Sequence, residues 1–323
     1  MERIALAADL GGTNLRVAAV NAAGEILDRR RVLTPQGGDS SSIVEAIALV
    51  AAECLEFAGR TVGFVIAAPG PLDIENGRII ESPNLPELNG LSITTEIEKR
   101  LGIPCFLEND ATAATIGENK FGASKGYSNV IGVTLGTGVG GGLILDEKPL
   151  RGINGMAGEI GHVCVEPNGH PCGCGSIGCI EQYASATAIV RMTKEWFHDY
   201  PDTMLDENAG LTSEMVYEAG AAGDRLALAV FNRLGFCLGI TLAGLVNVLN
   251  PEIIVIGGGV AAGWDLFSGT LKQTIMERAF RVPAEHAKIV RATLGDDAGI
   301  LGAASLVFGS DQRESVSLQV NIS

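Results

Sequence analysis

Three cysteines, Cys172-x-Cys174-x4-Cys179, stand in a segment too polar and glycine-rich to build a core of its own. Three thiolates and one imidazole make a closed tetrahedral Zn²⁺ site, and a structural Zn²⁺ can order a stretch that buries little apolar surface. His162, His170 and Cys164 all lie close enough in the chain to compete for the remaining position. The chain has seven cysteines, an odd number, and four of them fall between Cys164 and Cys179. That clustering fits a metal site in a reducing cytoplasm better than a disulfide framework.

A second chemistry lies in the glycine turns. Asp9-Leu-Gly-Gly-Thr-Asn14 joins two strand-like runs, and so does Thr134-Leu-Gly-Thr-Gly138. Two such hairpins facing each other would offer backbone N–H groups and hydroxyls to a phosphate chain, from Gly11, Gly12, Thr13 and Asn14 and from Thr134, Gly136, Thr137 and Gly138. Glycine lets the main chain approach the phosphate oxygens without an intervening Cβ. Asp9, at the end of its strand, is placed to hold Mg²⁺ through water. The Walker pattern GxxxxGK[ST] is absent, which excludes P-loop enzymes. Residues 136–141 match GxGxxG, but Gly142-Leu-Ile-Leu145 continues as a strand where that fingerprint demands a helix. Gly257-Gly-Gly259-Val-Ala-Ala262 is a better match, yet no acidic residue ends a strand about twenty residues on, as ribose binding needs.

Elements that position these groups follow from hydrophobic periodicity. Ile4–Asp9, Leu15–Asn21 and Glu25–Val32 read as a three-stranded start, Ser41–Phe57 as a helix and Val62–Ala67 as a buried strand. A long Pro/Gly/Asn loop, 68–91, follows. Pro104–Leu107 is a short strand running into a helix from about Asp110 to Lys120. Asn129–Leu135 and Gly142–Leu145 repeat the opening plan, as an old duplication would. Residues 151–183 are irregular, and helices dominate from Ala184 to Leu249. Ile253–Ile256 and Ile289–Leu294 are strands, and Asp297–Phe308 is a closing helix. The expected organisation is a small N-terminal domain (1–120) to which the closing helix 297–309 returns, a larger domain (121–296) carrying the metal loop 162–181, and a frayed tail (310–323).

Composition narrows the class. Forty-three glycines in 323 residues, beside 46% hydrophobic residues, indicate a globular chain whose backbone closely approaches something. With 23 basic and 38 acidic residues the net charge is −15, which argues against a nucleic-acid surface. The N-terminus lacks the basic and apolar regions of a signal peptide. Leu234–Pro251 is uncharged over eighteen residues, but its Gly, Thr and Asn content and its flanks suit a buried helix feeding a strand, not a membrane span.

Asp9-Leu-Gly-Gly-Thr-Asn-Leu-Arg16 resembles the first phosphate loop of the sugar-kinase, hexokinase and actin ATPase superfamily. Glu159-Ile-Gly-His162 with Cys172-Gly-Cys-Gly-Ser-Ile-Gly-Cys-Ile-Glu181 resembles the signature of its ROK branch. The resemblance spans roughly residues 4–308. It implies an α/β chain of two duplicated ribonuclease-H-like domains with a cleft between them, closing on a sugar. It makes His162 the fourth Zn²⁺ ligand, leaving Cys164 and His170 as neighbours. It makes Asp110 the general base, although the dipeptide Asn109-Asp110 alone would read as a helix cap. It places Asn109, Asp110, Glu159, His162 and Glu181 around the sugar, with Asn84 and Gly70 as weaker candidates, and gives Gly257, Gly258 and Gly259 to adenosine.

The activity so implied is ATP- and Mg²⁺-dependent phosphorylation of the 6-hydroxyl of a hexose. Glucose is favoured because Cys179-Ile-Glu-Gln-Tyr-Ala-Ser185 resembles the glucose-phosphorylating members more than the amino-sugar kinases. Fructose, mannose, allose, N-acetylglucosamine and N-acetylmannosamine stay open as acceptors, and polyphosphate as donor. A non-catalytic sugar sensor and a nicotinamide oxidoreductase built on Gly257–Ala262 are the rivals. The branch includes repressors with an added helix-turn-helix; a first strand opening at residue 4 argues against such a module here. Relatives often form homodimers or homotetramers.

Overall fold

The computed structural model describes residues 2–54, 60–82, 84–207 and 210–308. The chain divides into two compact units, each with its own apolar core. The first gathers the chain up to Phe121, the segment Arg151–Ala157 and the C-terminal stretch from Asp297; the second takes Gly122–Leu150 and Gly158–Asp296.

In the first unit, β1 (Ile4–Leu10), β2 (Asn14–Asn21) and β3 (Ile26–Leu33) form an antiparallel meander. Helix α1 (Ser40–Glu53) crosses to β4 (Thr61–Ala68), parallel to β1; its cap is Asp39, whose side chain accepts the Ser42 N–H. Within the long loop, β5 (Leu72–Asp73) and β6 (Arg78–Ile79) make a minimal hairpin. Helix α2 (Ile93–Leu101) was not foreseen in the sequence reading; it buries Ile93 and Ile97 and ends at Gly102 in the left-handed region. Then β7 (Cys105–Asn109) runs parallel to β4 and passes directly into α3 (Asp110–Phe121), completing the order β3-β2-β1-β4-β7. β1 is buried along almost its whole length, as a central strand covered on both faces must be.

The second unit repeats this plan. β8 (Val130–Leu135), β9 (Val139–Leu145) and β10 (Lys148–Pro149) are antiparallel. Short α4 (Glu181–Ala184), then α5 (Ala186–Trp196), α6 (Ser213–Ala221) and α7 (Arg225–Leu249) lead to β11 (Ile253–Gly257), parallel to β8. A 3-10 turn over Gly259–Gly263 precedes α8 (Trp264–Arg278), then α9 (Arg281–His286) and β12 (Lys288–Arg291), giving the order β10-β9-β8-β11-β12. Three antiparallel strands followed by two parallel ones in both sheets bear out the duplicated α/β reading. Among the described residues, α7 is the one helix long and apolar enough to cross a membrane, but 67% of its apolar window is buried inside the protein, with Leu234, Leu238, Leu242 and Val246 in the core.

Boundaries differ from the sequence reading in several places: α1 closes at Glu53, short of Phe57, β7 runs on to Asn109, and β9 opens at Val139, ahead of Gly142. The last strand stops at Arg291, short of Leu294. Residues Arg151–Ala157 cluster with the first unit, although the sequence suggests an unbroken second domain from 121 to 296. The tail 310–323 lies outside the described residues.

Helix α10 (Ala298–Phe308) packs on α3, β1 and β4. The α3–α10 crossing works because both helices carry glycine at the contact: a Cβ on Gly302 would collide with the Ala113 carbonyl, and one on Gly117 with the Ala298 carbonyl. Alanine is the better helix former by about 1 kcal/mol, but backbone cannot rotate aside for it. Gly302→Ala is therefore expected to lower stability by about 2 kcal/mol, read as a reduced urea midpoint. A midpoint equal to or above that of the parent would contradict this packing.

Candidate active site

The candidate residues of the first unit gather at the carboxyl ends of the parallel strands β1, β4 and β7, where open α/β sheets bind ligands. Asn109 is the last residue of β7 and Asp110 the first of α3. The Asn109 Oδ1 accepts the Thr112 N–H at 3.0 Å, so the cap of α3 is Asn109. Asp110 sits half-buried one step on, its Oδ1 accepting the Ala111 N–H at 2.7 Å. The helix N-terminus favours its ionised form. Gly70 follows β4 with φ +91°, and Asn84 packs against Gly12, where a Cβ would lie 2.7 Å from the Asn84 Cβ.

The 11–14 turn is held from one side. The Gly11 carbonyl accepts the Thr34 hydroxyl at 2.7 Å, the Gly12 carbonyl accepts from Gln36 Nε2 at 2.7 Å, and the Thr13 carbonyl accepts the Thr34 N–H at 2.9 Å. In a trans peptide the next N–H points opposite to the carbonyl. The amides of Gly12, Thr13 and Asn14 are thereby turned away from Thr34 and Gln36, as a phosphate cradle needs. Asp9 forms a cross-strand ion pair with Arg16 at 3.7 Å.

The second hairpin uses the same device. The Gly136 carbonyl accepts the Ala186 N–H at 2.8 Å and the Thr137 carbonyl the Thr187 hydroxyl at 2.9 Å, which turns the Thr137 and Gly138 amides outward. Gly257 pairs with Thr134 in register, and a Cβ on Gly258, which has φ +84°, would strike the backbone of Leu135. The Thr134–Gly138 and Gly257–Gly259 turns are thus brought side by side. Glu181 joins them to the cysteine loop: its Oε2 accepts the Val139 N–H at 3.1 Å, and its Oε1 lies 3.9 Å from the Cys172 Sγ. Glu159 and His162 lie at either end of a 3-10 turn, both exposed, with 3.9 Å between the Glu159 Oε2 and the His162 Nε2.

His162, Cys172, Cys174 and Cys179 bring one ligand atom each within 4.8 Å of one another. The His162 Nδ1 is 3.6 Å from the Cys172 Sγ, and the Cys174 and Cys179 sulfurs are 3.7 Å apart. Tetrahedral Zn²⁺ with Zn–S near 2.3 Å and Zn–N near 2.05 Å needs about 3.6 Å and 3.8 Å for such pairs. The donor set fits a closed structural Zn²⁺ site. Burial, followed by the neighbouring Cys174 and Cys172 thiols, pushes the Cys179 thiol up to about 12, whereas the Ser176 backbone amide lowers that of exposed Cys174. The competitors lie outside this cluster: His170 Nε2 is 2.6 Å from Arg191 Nη1, and Cys164, exposed, pairs with Cys179 through an isolated antiparallel backbone bridge. Gly178 makes the last turn before Cys179 at φ +69°, where a Cβ would strike the Glu166 carbonyl.

Glu108 and Arg151 are absent from the sequence reading, as are Thr34, Gln36 and Thr187. Glu108 is 1% exposed and binds Arg151, which stands 43 positions away. Spacing carries no signal for a partner at that distance.

The two repeated units, with glycine turns at their strand ends, define a two-domain ATPase fold of the actin and hexokinase kind. The chain belongs to the ROK family, whose pattern matches residues 5–309. A glucokinase of Thermotoga maritima is 38% identical over 307 residues, covering 93% of this chain and 95% of that protein. A ROK glucokinase of Streptomyces griseus, solved in complex with glucose and AMPPNP, shows a TM-score of 0.82 at 34% identity, over 95% of this chain and 100% of that one. A xylose repressor of Caldicellulosiruptor bescii is 29% identical over 307 residues, covering 93% of this chain but 77% of the repressor.

Proposed function

We propose that this chain transfers the γ-phosphoryl group of ATP to the 6-hydroxyl of a hexose, glucose before others. The observation that carries the reading is the place of Asp110, half-buried at the start of α3 at the carboxyl end of β7, next to Asn109, whose side chain accepts the Thr112 N–H. A carboxylate so placed can take the hydroxyl proton as the oxygen–phosphorus bond forms. The outward-turned amides of Gly12, Thr13, Thr137 and Gly138 would bind phosphate oxygens where charge is redistributed, and no side-chain cation is needed for that. Asp9 would hold Mg²⁺ through water, its charge shared with Arg16. Gly257–Gly259 would receive the adenosine.

Sugar hydroxyls both donate and accept, so amides and carboxylates read them. Asn109, Asp110, Glu159, His162 and Glu181 are assigned that task, with Asn84 and Gly70 in support. His162, Cys172, Cys174 and Cys179 would hold Zn²⁺, which supplies structural order when bound. With Nδ1 toward the thiolates, the His162 proton rests on Nε2, the edge turned to Glu159, from which it can donate to a hydroxyl. The two glutamates separate experimentally. Glu159→Ala is expected to raise hexose KM at least about tenfold with ATP KM nearly unchanged. Glu181→Ala is expected to raise both, because Glu181 also holds the Val139 amide of the phosphate hairpin. Steady-state titration of each substrate measures this; an unchanged ATP KM in Glu181→Ala would contradict the second assignment.

Coupled ADP release across a panel of hexoses with ATP and Mg²⁺ tests the whole reading. The similarity to repressors favours one other reading, a sugar sensor without turnover. That sensor would bind hexose and release no ADP in the same assay.

A further inference from the structure

We infer that Glu108 and Arg151 form a positioning pair that aims the catalytic carboxylate, an inference resting on the kinase reading above. Glu108 is the penultimate residue of β7 and is 1% exposed, an unusual place for a carboxylate. Its Oε1 bends back to accept the Asn109 N–H at 3.0 Å. Its Oε2 accepts both Nε and Nη2 of Arg151, at 3.0 and 2.6 Å. Three charge-assisted hydrogen bonds thus converge on a carboxylate immediately before Asn109-Asp110.

The strand-to-helix junction has two requirements. The Asn109 Oδ1 must reach the Thr112 N–H to start α3, and Asp110 must then point its carboxylate correctly. The Asn109 amide is the peptide about which that junction pivots, and Glu108 grips it. Arg151 fixes the grip: its guanidinium fork, one-third exposed, admits few orientations of the Glu108 carboxylate. Arg151 itself is held in a segment that returns from the second unit's stretch of sequence, with its carbonyl accepting the Ala157 N–H at 3.1 Å. Gly155 of that segment seats on Ile74 and the Leu72 carbonyl, within 3.0–3.3 Å of where a Cβ would be. A pair serving stability alone would need neither the grip on Asn109 nor a chain excursion to deliver Arg151.

Arg151→Met alone leaves a buried carboxylate without its partner, and this can unfold the chain. Glu108→Gln with Arg151→Met removes the charge, keeps an acceptor for the Asn109 N–H and deletes only the fork. In the double variant the thermal midpoint is expected near that of the parent, with kcat lowered at least tenfold, hexose KM within about threefold and ATP KM unchanged, since a base displaced by about 1 Å costs up to 10²-fold. Arg151→Lys, which restores charge without the fork, is expected to recover only part of kcat. Parental kcat in the folded double variant overturns the inference, as does a parallel rise of both KM values with the loss of kcat. Parent protein that releases no ADP with any hexose overturns the kinase reading, and this inference with it.

Discussion

Asp110→Ala is expected to lower kcat for hexose phosphorylation by about 10²–10⁴-fold while leaving most hexose affinity. The asymmetry follows from what the carboxylate does at each stage. In the ground state it would be one of several groups that read the sugar hydroxyls, and Asn109, Glu159, His162 and Glu181 would remain. In the transition state it alone is assigned to receive the proton, so its loss is felt mainly in kcat. The helix should survive, because the cap is the Asn109 side chain and alanine is a good helix former at the first position. Asp110→Asn separates charge from shape: it retains an acceptor for the Ala111 N–H but cannot take a proton. Kinetics of both variants, with hexose binding measured by calorimetry, decide the matter. Turnover within a few-fold of the parent in Asp110→Ala would remove Asp110 from the chemistry.

Most of the fold could be read because its strands are short, apolar and punctuated by glycine. β1 and β2 differ by a residue at most from the runs read at 4–9 and 15–21. Helix α2 escaped because its apolar face is two isoleucines among charged residues, a weak signal between a loop and a strand. The glycine turns and the cysteine loop were legible as chemistry because their ligand atoms are close in sequence. The groups that aim them were not. Thr34 and Gln36 tether carbonyls 23 and 24 positions upstream, and Thr187 one 50 positions upstream. Asp110 shows the converse case: the dipeptide alone favours a cap, the family resemblance alone makes Asp110 the base, and the structure adds only that the Asn109 side chain accepts the Thr112 N–H.

Removal of metal from the cysteine loop is expected to abolish hexose binding before either unit unfolds. The seventeen residues from Val163 to Cys179 contain no long helix or strand and contribute almost nothing to the two apolar cores. Ordering so many residues costs on the order of 20 kcal/mol. A structural Zn²⁺ site returns about 10–16 kcal/mol, and local bonds such as Cys172 N–H to the Ser176 carbonyl supply part of the remainder. Without the metal, the loop's order has no sufficient counterweight. The cores persist, because their strands and helices close without it. Function goes first because His162 is one of the four groups that would hold the ion, and because Glu181, two residues after Cys179, reaches the Val139 amide across the same loop. Chelation should therefore raise hexose KM beyond measurement and ATP KM more modestly, while far-UV circular dichroism stays close to that of the parent. Readded Zn²⁺ should restore both. Cys174→Ser provides the same test without chelator, since that thiol is exposed and its loss opens no cavity. Metal-free protein, verified by elemental analysis, that phosphorylates hexose at the parental rate would show that the thiolates and His162 need no ion to hold the site.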